Sequence, residues 1–295
     1  MKEAGKNPGL VAVTAAMADG CGLSAFRNLY PDRFYDVGIA EEHAVTFASG
    51  LSIGGHGKIV PVLVMYSTFS QRVFDQLWHD FCLQNREKND LSLVLVLSHG
   101  GFVAGDGVTH QGIYDIPLLK NLPDVTLYTP DSFEALEAAF HKSVSSKGLS
   151  VIRYPKAGEN AYGVSFEEHN GFRSATIGDG AGCVITYGRV AENVAKALQT
   201  RYETDGRGAK LIVLERALPV PDFDEFDEIF RDDGEITVVE ECVSGGGIGS
   251  ILAAKYSGIK KIRTIDSENF FIKCGSYDDV IRREGFDAEG LNRRL

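Results

Sequence analysis

The sequence predicts an α/β protein of two domains, each a mainly parallel sheet flanked by helices. Three observations lead there. Runs apolar on both faces, such as LSLVLVLS (91–98), alternate with amphipathic helical patterns. That alternation is interrupted once, by the aperiodic stretch GENAYGVSFEEHNGFRSA (158–175). The chain has 295 residues, 44% hydrophobic and 24% charged, enough for about two ordinary cores.

The elements follow in order. GLVAVTAAM (9–17) reads as a strand, and EEHAVTFASGLSIGG (41–55) as a helix closed by Gly54 and Gly55. KIVPVLVMYST (58–68) is a strand, FSQRVFDQLWHDFCLQN (69–85) a long amphipathic helix, and LSLVLVLSHGG (91–101) a strand. VTLYTP (125–130) and LSVIRYP (149–155) are strands around a helix over 131–148 that starts at an Asp/Ser cap. The first domain is therefore 1–157, the linker 158–175 and the second domain 176–295. In the second domain, strands at 182–189, 209–216, 235–241 and 261–266 alternate with helices at 190–203, 224–230, 248–256 and 276–284.

Composition excludes several roles. The net charge is −11, so a basic stripe for nucleic acid is not expected. The longest apolar runs fall far short of the ~20 residues of a membrane helix, and MKEAGKNPG has no signal-peptide core. The five cysteines (Cys21, Cys82, Cys183, Cys242, Cys274) are scattered, with no CxxC pair. Reduced thiols, no metal site in this chain and a cytoplasmic location are the expectation.

Four stretches carry chemistry-bearing residues. In DVGIAEEHAV (36–45) an apolar run leads to Glu41 and Glu42 at a strand-to-helix junction. Glu41 is either a helix-start acid favoured by the macrodipole or a desolvated acid that exchanges a proton with a ligand nitrogen. In YSTFSQRVFDQLWHD (66–80), Tyr66 and Phe69 flank a turn, with Arg72 beyond. They are core aromatics with a surface arginine, or a platform for a flat heterocycle with a cation beside it. SHGGFVAGDGVTHQGIYD (98–115) packs five glycines, two histidines and two aspartates into 18 residues after an apolar strand. Loops at the carboxyl ends of parallel strands are where α/β proteins build sites. A mere connection needs neither this length nor His99, Asp106 and His110 together. In VIRYPKAG (151–158), Arg153 is a structural ion-pair partner or a guanidinium fork for phosphate or carboxylate.

These stretches, in this order, resemble the pyrimidine-binding domain of thiamine-diphosphate enzymes of the transketolase superfamily. PDRFYDVGIAEEHAVTFASGL, YSTFSQRVFDQLWHD and GDGVTHQGIYDIPLL are most similar to the 1-deoxy-D-xylulose-5-phosphate synthases; VVEECVSGGGIGS and GFDAEGLNRRL resemble their C-terminal domain more loosely. In that superfamily a glutamate contacts N1′ of the cofactor's aminopyrimidine and favours the imino tautomer, which activates thiazolium C2. The resemblance implies that Glu41 is that glutamate and that Glu42 is peripheral. It places Phe69, Tyr66 and Arg72 in the cofactor pocket, and His99, Asp106 and His110 on the substrate side. Arg153 would hold the phosphate of glyceraldehyde 3-phosphate. Glu41 and His110 are the catalytic expectations.

The implied activity is the condensation of pyruvate with glyceraldehyde 3-phosphate, with loss of carbon dioxide, in isoprenoid precursor synthesis. The alternatives are the C-terminal subunit of a split transketolase, which moves a two-carbon ketol unit between sugar phosphates, and a non-catalytic paralogue that keeps the fold. Three departures bear on the choice. His99 stands where the synthases usually have arginine, and an imidazole holds phosphate less well than a guanidinium. Gly-Asp-Gly occurs at 105–107 and 178–180, but neither is followed at the family's spacing by asparagine, because Asn121 and Asn193 come too early. GGGIG (245–249) reads as a strand–helix turn rather than a phosphate cradle. Finally, only MKEAGK precedes the region of the first strand, where the family has a longer helix. The expectation is a piece of a longer synthase or a separate subunit. A diphosphate-binding domain or subunit would supply the Mg²⁺ ligands and the rest of the thiamine diphosphate site. Without it the chain would turn over nothing, and a homodimer is expected.

Overall fold

The computed structural model describes residues 1–87, 90–180, 182–221 and 235–295. The first sheet is built from β1 (Leu10–Thr14), β2 (Phe34–Asp36), β3 (Val60–Tyr66), β4 (Ser92–Ser98), β5 (Thr126–Tyr128) and β6 (Gly148–Arg153). These six pair in parallel throughout. The second sheet is built from β7 (Glu167–His169), β8 (Phe172–Ile177), β9 (Cys183–Tyr187), β10 (Ala209–Leu214), β12 (Ile236–Val243) and β13 (Ile262–Ser267). The strand between them in sequence, β11 (Arg216–Leu218), belongs to the first sheet. The first sheet runs β11-β5-β6-β4-β3-β1-β2 and the second β13-β12-β9-β10-β8-β7. In the second, β9, β10, β12 and β13 are parallel, while β7 and β8 are antiparallel additions at one edge.

Strand β4 is buried along its whole length, and β3 along all but its last residue. Continuous Val/Leu runs of this kind suit a sheet covered on both faces. The helix Glu41–Gly54 lies on one face through Ala44, Val45 and Ala48. Helix Phe133–Ser145 starts as its sequence requires, with Ser132 Oγ accepting from Ala135 N at 3.0 Å.

Several elements differ from the reading of the sequence. The stretch 69–85 is not one α-helix. It opens as a 3₁₀ turn (Ser67–Arg72) and passes through a π-helical turn (Leu77–Cys82), which points Leu77, Phe81 and Cys82 into the core. The linker 158–175 contains β7 and most of β8, so the stretch free of strand and helix is 154–166. Its mixed polar composition suits an edge hairpin, which a search for long apolar runs passes over. Strand β11 leaves the second domain and pairs antiparallel with β5. The second domain thus contributes one strand to the first sheet. The expected helix at 224–230 lies outside the described residues.

The carboxyl ends of β1, β3, β4 and β6 come together at one edge. Tyr66 pairs with Ser98 and Leu97 with Arg153 in the sheet register. Tyr66 and Arg153 end their strands at this edge, and the segments that continue from β3 and β4 carry Phe69, Arg72, His99, Asp106 and His110.

Candidate active site

Glu41 opens its helix yet is 2% exposed. Its carboxylate caps nothing: the helix N-cap makes no side-chain hydrogen bond, and Glu41 Oε2 is buried without a hydrogen-bond partner. Arg72 Nη1 lies 3.6 Å from that oxygen, and its side chain is half exposed.

Tyr66 and Phe69 stack with centroids 6.1 Å apart and an interplanar angle of 15°. His99 lies against Tyr66 at 3.9 Å, and His110 stands edge-on to both rings, 6.3 Å from Tyr66 and 5.7 Å from Phe69. The 3₁₀ turn Ser67–Arg72 therefore links two groups, since it carries Phe69 in the aromatic cluster and Arg72 beside Glu41. Gly20 closes the far side of Tyr66, where a Cβ would sit 2.0 Å from the Tyr66 hydroxyl.

His99 is unusual in three respects. Its φ is +62°, in the left-handed region that costs a non-glycine residue about 1–3 kcal/mol. Its Nδ1 hydrogen-bonds Ser98 Oγ at 3.0 Å, while Nε2 is buried without a partner. Burial, helped by the nearby Lys156 ammonium, holds its pKa down to about 4, so the imidazole is neutral at pH 7.

Asp106 and His110 sit on the loop between β4 and the helix Asp115–Leu119. Lys156 Nζ donates to Asp106 Oδ2 at 3.0 Å, and that bond keeps the Asp106 carboxyl below its ordinary range. The loop is held by Gln111, whose Oε1 accepts from Val103 N at 2.9 Å and whose Nε2 donates to Val103 O and Gly107 O. Thr68 Oγ1 donates to Thr109 O at 2.8 Å, which ties the aromatic turn to the loop.

Arg153, expected at the acceptor's phosphate, is placed in the domain seam and is 4% exposed. Its Nε donates to Asp115 Oδ2 at 2.7 Å, and its Nη2 donates to Gly112 O and Glu241 O. With those donors committed and the side chain buried, the guanidinium faces protein rather than an open site. Asp115 also accepts from Ser67 Oγ at 2.7 Å, so one carboxylate joins the aromatic turn, the loop and β6.

Sequence reasoning singled out Glu41, Tyr66, Phe69, Arg72, His99, Asp106 and His110, which the fold brings to one edge. It missed Lys156 in VIRYPKAG, and Gln111, Asp115 and Gly20. A lysine three residues past a strand carries no pattern, and Gly20 is explained only by the tyrosine opposite it. The GGGIG turn is settled by Glu240. This buried carboxylate accepts from Ile248 N at 2.8 Å and Gly249 N at 3.1 Å, and so already fills the anion position at the helix start. Among the described residues, no cluster of three or more His, Cys, Asp or Glu could hold a metal, and no helix is long and apolar enough to cross a membrane. All five cysteines are free.

This fold and this set of side chains define a transketolase-type pyrimidine-binding domain followed by a second α/β domain. Residues 1–159 match the family described as transketolase, pyrimidine binding domain, and the chain belongs to that family. Its named relatives include the 1-deoxy-D-xylulose-5-phosphate synthase of Clostridium perfringens (strain SM101), 35% identical over 292 residues, which cover 97% of this chain and 46% of that protein. The synthase of Dictyoglomus thermophilum is 36% identical over 281 residues, 92% of this chain and 43% of its own. The chain thus spans about half the length of these relatives. Among solved structures, a split-gene transketolase described as an inactive beta4 tetramer superposes with a TM-score of 0.79 at 22% identity, covering 99% of this chain and 92% of that one. Transketolase from Campylobacter jejuni gives 0.80 at 15% identity, over 99% of this chain and 44% of its own. At these identities the structures show the shared fold.

Proposed function

We propose that this chain is the pyrimidine-binding and C-terminal part of a thiamine-diphosphate-dependent 1-deoxy-D-xylulose-5-phosphate synthase. The observation that carries the reading is Glu41 Oε2, buried beside the aromatic turn with no hydrogen-bond partner. A buried carboxylate oxygen left open is costly unless a ligand's N–H meets it, and an aminopyrimidine ring nitrogen is such a partner. Glu41 would hold and exchange the proton at N1′, with Phe69 and Tyr66 offering ring faces and Arg72 a cation beside the carboxylate. When bound, the cofactor supplies the electron sink for breaking the bond to the donor's carbonyl carbon.

The chain's own groups do the rest. Asp106 and His110 face the substrate, where His110 gives or takes a proton at a substrate oxygen. His99 offers a neutral imidazole ring. Arg153 positions the loop through Asp115 instead of touching the acceptor. The donor is pyruvate, which loses carbon dioxide, and the acceptor is glyceraldehyde 3-phosphate. A domain or subunit that binds diphosphate and Mg²⁺ completes the site, in keeping with relatives about twice as long. A second reading, the C-terminal subunit of a split transketolase, is favoured by His99 in place of the synthases' arginine.

The test joins this chain to its diphosphate-binding domain or subunit and supplies either labelled pyruvate with glyceraldehyde 3-phosphate or a ketose phosphate with an aldose phosphate. Carbon dioxide release with a deoxyketose product supports the synthase. Ketol transfer without gas supports the second reading. Loss of activity in Glu41→Ala would rule out a non-catalytic paralogue, and a wild-type assembly that turns over neither substrate pair would support one.

A further inference from the structure

An anionic substrate needs a cation at the mouth of the site, and neither expected group supplies one. The Arg153 guanidinium is buried and bound to Asp115, Gly112 O and Glu241 O. His99 is neutral at pH 7. Asp106 makes the need sharper, because it is ionised and partly exposed on the same loop and repels a phosphate that approaches it.

We infer that Lys156, three residues beyond Arg153, is the side chain that receives the anionic end of the substrate, a phosphate monoester of a short sugar. The assignment rests on the sugar-phosphate reading above. Lys156 is half exposed, and its Nζ lies 3.0 Å from Asp106 Oδ2, on the loop that carries His99 and His110. Its charge reaches both His99 and Asp106. An ammonium carries three donors, so one can stay on Asp106 while another meets a phosphate oxygen. Its flexible stem lets the head follow the ligand, which the buried Arg153 fork cannot do. Held in this way, Asp106 is screened from the phosphate and keeps its second oxygen for a substrate hydroxyl. Lys156 is thus a binding residue that sets substrate class, and Arg153 is the strut beneath it.

The experiment titrates the ¹⁵N-labelled full chain with glycerol 3-phosphate and, separately, with glycerol, following amide shifts of the 99–115 loop. Lys156→Met, Lys156→Arg and Arg153→Lys are compared after thermal melts confirm folding. Wild type is expected to prefer the phosphate ester. Lys156→Met loses that preference by roughly tenfold, about one charge-assisted contact, and Lys156→Arg retains it. Arg153→Lys lowers the melting temperature and leaves the preference in place. A preference that survives Lys156→Met overturns the assignment of Lys156 alone. If wild type shows no preference for the ester over glycerol, Lys156 and the sugar-phosphate reading both fall.

Discussion

Arg153 and Asp115 form a buried ion pair, Nε to Oδ2 at 2.7 Å, with side chains 3% and 0% exposed. The pair lies where β6, the substrate loop and β12 of the second domain meet, because Arg153 also reaches Glu241 O. Replacing Asp115 with alanine leaves a guanidinium without its counter-charge in a dry seam. The expected cost is about 3–5 kcal/mol, read from denaturant unfolding. A loss under about 1 kcal/mol would show that the seam admits water and that the pair is incidental.

His99 should titrate far below an ordinary histidine. Its folded pKa is lowered to about 4 from 6.5, so the stability linked to its neutral form is complete above about 6.5 and is lost as pH falls towards 4. The imidazole resonances of wild type should therefore stay in the neutral position at pH 5.5. A midpoint near 6.5 would mean that Nε2 is open to water and that the imidazole can carry charge in the site.

Glu241 behaves in the opposite sense. Burial pushes its pKa up to about 7 from 4.5, against the pull of Arg153. Its stabilising protonated form is fully present below about 4.5 and is lost as pH rises through about 7. Glu241→Gln mimics that form at every pH. The variant's melting temperature, measured relative to wild type, should rise between pH 4.5 and 7.5. A constant difference across this window would show that Glu241 keeps its charge when buried.

Glu240 holds the start of the helix Ile248–Lys255 and accepts from Tyr187 Oη at 2.6 Å. Glu240→Ala leaves two backbone N–H groups and a buried hydroxyl unpaired. A loss of about 2–4 kcal/mol is expected. Hydrogen exchange at Ile248 and Gly249 should quicken first, and unchanged exchange there would argue against the cap.

The two sheets, and the edge that carries the candidate site, were legible in the residue pattern. Val/Leu runs such as 91–98 can be satisfied only between two covering layers, and parallel strands send their carboxyl ends to one side. The residue pattern also placed Glu41, Tyr66, Phe69, His99, Asp106 and His110 at, or in the segments just beyond, the ends of strands. Tertiary structure decided what each charge meets. VIRYPKAG alone cannot tell which of Arg153 and Lys156 turns inward. Asp115 lies 38 residues from Arg153 and Glu241 lies 88 away, and only the folded seam brings them into hydrogen-bonding range. The edge hairpin β7–β8, the crossing strand β11 and the π turn at Leu77–Cys82 were likewise hidden. Each is set by which neighbour offers backbone partners or room, and local periodicity carries no record of that.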